Sequence, residues 1–205
     1  MAHPPLRDPR VLRAVAHPVR SRILTELDAQ GSLRAADVAQ LLGIPANQAS
    51  FHLRSLAKFG LVEEDPGAAR DRRDRVWRAT EGAGFDVNIG EIEKTPGGKA
   101  ASKVFRQTKE AWAHRLVEAA YGEDRTPGIH RAVTEQAVRL TKEEARELTD
   151  ALVELVDKWR ARNLDRHDEE RATYHVFQIV QPFPDQSAPE ESAPEESAPE
   201  ESALD

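Results

Sequence analysis

The chain has 205 residues, of which 39 % are apolar and 32 % charged, and a formal net charge of −7. That length holds one sizeable domain or two small ones, and the charged fraction requires part of the chain to stay in water. The absence of cysteine excludes disulfides, thiolate metal sites and cysteine nucleophiles. No run approaches the roughly 20 apolar residues of a membrane span and no apolar leader opens the sequence, so a cytoplasmic location away from membranes is expected.

Charge is unevenly spread. Residues 1–80 carry 13 Lys/Arg against 9 Asp/Glu, residues 81–181 carry 16 against 19, and residues 182–205 carry eight acids and no base. The basic excess therefore lies at the N-terminal end, where contact with phosphate would need it.

In chain order, Met1 to Arg7 is a Pro-containing lead. Asp8-Pro9 suits a helix cap followed by proline in the first turn, and Val11, Leu12 and Val15 mark a short amphipathic helix. His17-Pro18 breaks it, because the residue before proline avoids helical geometry. A second helix follows with Val19, Ile23, Leu24 and Leu27 inward, leaving Arg20 and Arg22 as solvated charges or phosphate contacts. Gly31-Ser32 ends it.

The most informative stretch is Ala35–Leu61. Val38, Leu41 and Leu42 give one helix an apolar face. Gly43 supplies the left-handed residue past its end, Ile44 is the apolar residue of the turn, and Pro45 opens the next helix. On that helix, spanning 46–58, Ala49, Leu53 and Leu56 form a buried stripe. Asn47, Gln48, Ser50, Phe51 and Arg54 form a second, hydrogen-bonding stripe of the kind that reads base edges in a major groove. His52, beside Leu53, reads as a partly buried structural residue. Gly60 then leads into a strand, and Arg75–Thr80 forms another. The tip between them, 66–75, holds Arg70, Arg72, Arg73 and Arg75 with two aspartates, so Arg72, Arg73 and Arg75 are candidates for backbone or minor-groove contact.

Leu12–Leu24 with its His17-Pro18-Val19-Arg20, then Asp37–Gly43, Ala49–Leu56 with its Ser50-Phe51-His52-Leu53, and Phe59-Gly60-Leu61-Val62 together resemble the ArsR-type winged-helix repressors over about residues 8–82. The resemblance implies a DNA-binding winged helix, but the paired cysteines common in metal sensors of that family are missing. It also implies a twofold dimer in which a helix after the wing packs on the first helix. Val11, Leu12, Val104, Phe105, Trp112 and Leu116 are the candidates for that interface.

Beyond the wing, the Gly- and charge-rich stretch 83–98 reads as a linker. Lys99–Tyr121 is a long helix with Val104, Thr108, Trp112 and Leu116 four apart. Ala132–Leu140 has strand-like alternation. Thr141-Lys142-Glu143-Glu144 is a capping box opening a helix to about Arg162, with Ala145, Leu148, Leu152, Leu155, Val156 and Trp159 on one face. Tyr174–Gln181 is rich in aromatic and β-branched residues and reads as a second strand. The chain ends in three Ser-Ala-Pro-Glu-Glu repeats from Ser187, a composition that cannot bury enough apolar surface to fold.

The expected architecture is mainly α with some β. A winged helix-turn-helix domain occupies 1–82. A linker covers 83–98, and a dimerisation or effector region of long helix plus strand-helix-strand unit covers 99–184. A disordered acidic tail fills 185–205. Histidines and acids around His167, with His114 and His175, are the best metal candidates, but such charged loops are usually solvated and no metal site or cofactor is assigned. No phosphate loop, nucleophile elbow or metalloprotease helix is present, so no catalytic residue is expected. The function expected is a homodimeric transcriptional repressor on double-stranded DNA, with any small-molecule effector unassigned. The alternative is a winged helix that serves protein–protein contact alone.

Overall fold

The computed structural model of the chain describes residues 8–69, 75–80, 88–123, 127–164, 166, 168 and 170–183. The first helix, α1 (Pro9–Ala16), starts where Asp8 accepts a hydrogen bond from the Arg10 N–H, with Pro9 in the first turn. It gives way at His17 to α2 (Pro18–Gln30). Then come β1 (Leu33–Arg34), α3 (Ala35–Leu42) and α4 (Ala46–Ala57), followed by the wing strands β2 (Val62–Glu64) and β3 (Val76–Ala79). The three strands form an antiparallel sheet in the order β1-β3-β2, with Leu33 opposite Trp77 and Val62 opposite Ala79. A helix-turn-helix followed by a small sheet of this topology is a winged helix-turn-helix domain.

Two features of this part were not foreseen. β1 is only two residues long, too short to carry a periodic signal, and it forms because β3 offers it an edge. The stretch read as a linker contains α5 (Ile89–Glu93), capped by the Asn88 side chain, and Ile92 is fully buried in the core. A chain reversal follows: Gly97 is left-handed, and a Cβ on Gly98 would lie 1.8 Å from the Ile92 carbonyl oxygen, so only glycine fits there.

The core joins Leu12, Ile23, Leu27, Val38, Leu53, Leu56, Trp77, Ile92 and Ala101. It thus reaches from α1 to the start of α6 (Gly98–Tyr121), which packs against α1. Leu41 points outward rather than with Val38, so the inner face of α3 is narrower than expected.

The last helix, α7 (Lys142–Asn163), has the expected capping box. The Glu144 N–H donates to Thr141 Oγ1 at 3.2 Å and the Thr141 N–H to Glu144 Oε2 at 2.7 Å. The strand-helix-strand expectation needs correction on both flanks: residues 129–140 and 171–183 run without strand, and among the described residues no ladder forms outside β1–β3. Alternation shows which faces a strand could offer, but a strand exists only when another edge meets its N–H and C=O groups. The chain divides into two compact units at His175–Val176. In the second, Val176, Phe177, Ile179, Val180 and Phe183 are exposed, and the acidic repeats lie outside the described residues. Among the described residues no helix is long and apolar enough to cross a membrane.

Candidate nucleic-acid interface

The turn between α3 and α4 fixes the presentation of α4. Gly43 adopts φ 64°, ψ 35°, a left-handed conformation disfavoured for other residues. The next N–H, that of Ile44, donates to the Ala39 carbonyl at 3.0 Å. Pro45 precedes the helix, and the Asn47 side-chain oxygen accepts from the Gln48 N–H at 2.9 Å. Ala49, Leu53 and Leu56 are fully buried, which locks the rotation of α4 about its own axis. The opposite side is left to solvent: Asn47, Gln48, Phe51 and Arg54 are exposed and Ser50 is half-buried. All five residues chosen for groove contact therefore share one side of a helix held by its back.

Phe51 is 59 % exposed, unusual for a large aromatic on a polar face, and its ring meets the His52 ring edge-on at 5.4 Å. His52 itself is buried against His17, ring centroids 4.9 Å apart. Neither Nδ1 has a hydrogen-bond partner. Burial, and after it the nearby Arg20 charge, push both imidazoles below their usual pKa; for His17 the His52 ring adds to this. His52 thus backs the exposed face of α4 as a neutral packing group.

The arginines of α2 are committed inside the domain. Arg20 donates to the carbonyls of Ala14 (2.7 Å) and Arg13 (3.2 Å), covering the end of α1 where unsatisfied carbonyls gather. Arg22 pairs with Glu26 at 2.6 Å. Glu26 is the residue sequence reasoning missed. It is 1 % exposed, and its carboxylate also accepts from Gln30 Nε2 (2.8 Å) and Thr173 Oγ1 (2.7 Å). The signal was present, since Ile23, Glu26, Leu27 and Gln30 fall at helical spacing on one face.

In the wing, Asp65 closes the turn after β2, accepting from Ser32 Oγ at 2.6 Å and from the Gly67 N–H at 3.1 Å. The Ser32 hydrogen bond, more than any other contact, lowers its carboxyl pKa. Arg75 is 65 % exposed and sits 3.6 Å from Glu64, a loose surface pair of little worth. Arg78 on β3 pairs with Glu63 at 2.7 Å and is a further exposed cation beside the wing. Arg72 and Arg73 lie outside the described residues.

The residues assigned to a dimer interface divide. Leu12 is fully buried in the core, where it holds α1 in place. Val11 and Phe105 are half-buried against the same core. Val104 is exposed, Leu116 is half-buried, and Trp112 packs edge-on to the His175 ring at 5.8 Å with Arg115 over its face.

Residues 15–65 match the model of a helix-turn-helix domain, which spans α2, α3 and α4. None of the curated proteins compared with the chain matches it. Among solved structures, a double mutant of Lactococcus lactis ZitR in apo form is similar at 17 % identity and TM-score 0.31, over 70 % of this chain and 83 % of that one. YusO from Bacillus subtilis is similar at 14 % identity and TM-score 0.33, over 72 % and 79 %. Wild-type MarR from E. coli in apo form is similar at 14 % identity and TM-score 0.32, over 72 % and 88 %. At these scores the overall likeness is slight; the domain assignment stands on the matched segment and on the chain's own helices and sheet.

Proposed function

We propose that the protein is a sequence-specific, double-stranded-DNA-binding transcriptional regulator of the ArsR type, acting as a homodimeric repressor in the cytoplasm. α4 enters the major groove, with Asn47, Gln48, Ser50, Phe51 and Arg54 toward the bases. The wing, 66–75, lies along the backbone or minor groove with Arg72, Arg73 and Arg75. The observation that carries this reading is the division of α4 into a fully buried back and an exposed front of hydrogen-bonding side chains. A helix used only for protein contact would gain more from an apolar front. Within that front, Arg54 can bond a guanine edge bidentately and Phe51 can cover a thymine methyl. A lone winged helix makes few base contacts, so two copies on a twofold site supply the specificity. We place the main dimer contact on α1 and on the stretch of α6 beyond the core, where Val104 is exposed and Trp112 and Leu116 are half-buried.

The test is selection of bound fragments from random DNA, followed by titration of wild type and Arg54→Ala on the selected site and on scrambled DNA. Loss of a bidentate base contact weakens specific binding by about 1–3 kcal/mol and leaves scrambled DNA nearly unchanged. Equal loss on both would reduce Arg54 to a phosphate contact, and failure to select any site would overturn the reading.

A further inference from the structure

We propose that Ser21 and Arg22 of α2, Lys109 of α6 and His175 bind the dianion of a phosphate group, either free phosphate or a phosphate monoester. These residues come from three stretches of the chain and meet beside α6. Lys109 Nζ reaches across to α2, where it donates to Ser21 Oγ at 3.2 Å. It lies 5.6 Å from the centre of the Phe105 ring. The His175 ring stands edge-on to Trp112 at 5.8 Å, and the Arg115 guanidinium lies 5.2 Å from the Trp112 ring centre. Burial first, and then the charges of Lys109 and Arg22, hold the His175 imidazole below its usual pKa, so both cations act on this ring. Arg22, Lys109 and His175 each keep an exposed part, where a solute can reach them.

The charge balance says which ligand fits. Arg22, Lys109 and Arg115 bring three positive charges. Among the described residues only Glu26 forms an ion pair with any of them, and its oxygens also accept from Gln30 and Thr173. Two positive charges are therefore left over. Burial lowers the Lys109 pKa, a cost that an anion beside the ammonium would offset. A carboxylate would match one of the two charges. A phosphate group near pH 7 carries about −1.5 to −2 and offers at least three acceptor oxygens. The donors that face it are an ammonium, a guanidinium edge, a hydroxyl and an imidazole N–H, and the charged ones make the stronger hydrogen bonds. Sequence alone offers His175 as a metal ligand. The structure surrounds it with cations, where a metal ion would need carboxylates or further imidazoles.

This site does not rest on DNA binding, and its test uses no DNA. The full chain is titrated with inorganic phosphate, phenyl phosphate and benzoate at constant ionic strength, and the indole N–H signals of Trp112 and Trp159 are followed by NMR. Trp112→Phe assigns the first of them. Trp159 is an internal control: Arg162 lies 5.0 Å from its ring centre, much as Arg115 lies against Trp112. Among the described residues no hydrogen bond or ring contact joins Trp159 to Ser21, Lys109 or His175. Both phosphates should move the Trp112 signal to saturation and leave Trp159 in place. Lys109→Gln should weaken binding roughly tenfold, the worth of one hydrogen bond to a charged group. Lys103→Gln, an exposed lysine of the same helix, should change it by less than about twofold. His175→Gln should also weaken binding, which keeps the test open if Lys109→Gln disturbs the fold. Tighter binding of phenyl phosphate than of inorganic phosphate assigns the site to a monoester; equal binding assigns it to the phosphate group alone. Benzoate bound as tightly as phenyl phosphate overturns the dianion. Equal movement of both indoles, or equal loss in Lys103→Gln and Lys109→Gln, overturns the site in favour of diffuse charge. The absence of a saturable shift at millimolar phosphate overturns it outright.

Discussion

The two halves of the chain solve the same problem differently. Among the described residues every buried one lies between Leu12 and Ser102, although α6 runs on to Tyr121 and α7 is nearly as long. In the first half short helices and a three-stranded sheet close around one another. In the second, helices form on local signals: a capping box, an i,i+4 pair of Lys158 with Glu154, and Arg160 bonded to Asp157. Such signals are worth a few tenths of a kcal/mol each and shape a helix without giving it a core. A winged helix that must present α4 in a fixed orientation needs the first solution. A region that completes itself against another molecule can use the second.

The sharpest way to break this comparison is to cut a leucine in each half. Leu53→Ala removes a fully buried side chain beneath the exposed front of α4 and should cost about 2–5 kcal/mol. Leu152→Ala in α7, where nothing is buried, should cost well under half as much in dilute protein. Urea denaturation of both variants decides it. Comparable losses would mean that α7 already owns a core within one subunit.

The same contrast explains what could be read from the sequence. The turn at Gly43, the stripes of α4, the cap of Asp8 and the capping box of Thr141 depend on neighbours within a few residues, and each stands where the residue pattern puts it. What escaped depends on distant partners. Leu33–Arg34 becomes a strand because Trp77 is there to pair with it. Ile92 is buried because α6 turns back over it, in a stretch whose glycine and charge look like a linker. Glu26 shares a helical face with Ile23 and Leu27, but Thr173, which closes over it, lies 147 positions away. The alternation in 132–140 and 174–181 was legible, but neither segment meets a partner edge among the described residues, and no local pattern names the partner a strand needs.

Glu26 is where the halves meet, and replacing it sharpens the comparison further. Its carboxylate accepts from Arg22, Gln30 and Thr173. Glu26→Ala strands those donors and should cost about 1–3 kcal/mol. The loss should be accompanied by faster amide exchange around Thr173, whereas α4 stays protected. Thr173→Val removes one donor only and should cost less. Unchanged exchange around Thr173 in Glu26→Ala would show that the second half is held to α2 by other contacts, Arg160 with Asp28 first among them.

The smallest effect concerns protons. In the first half His17 and His52 face each other with Arg20 nearby, and burial holds both below the usual histidine pKa. The unfolded chain takes up those protons near pH 6.5, while the folded chain resists until the pH is lower. The unfolded state therefore binds more protons in that interval, and stability rises with pH across it. The contribution is fully present above about pH 6.5 and is lost as the pH falls through the depressed folded values. The urea midpoint should drop between pH 7.5 and pH 5.5, and His52→Gln should flatten the drop. His175 in the second half is also depressed, by burial first and then by Lys109 and Arg22, and contributes with the same sign. The comparison therefore needs His175→Gln alongside. If the first half carries the structure, His52→Gln removes more of the pH dependence of global unfolding than His175→Gln does. If His175→Gln removes as much, the second half unfolds together with the first, and the contrast between them is one of burial and not of cooperativity.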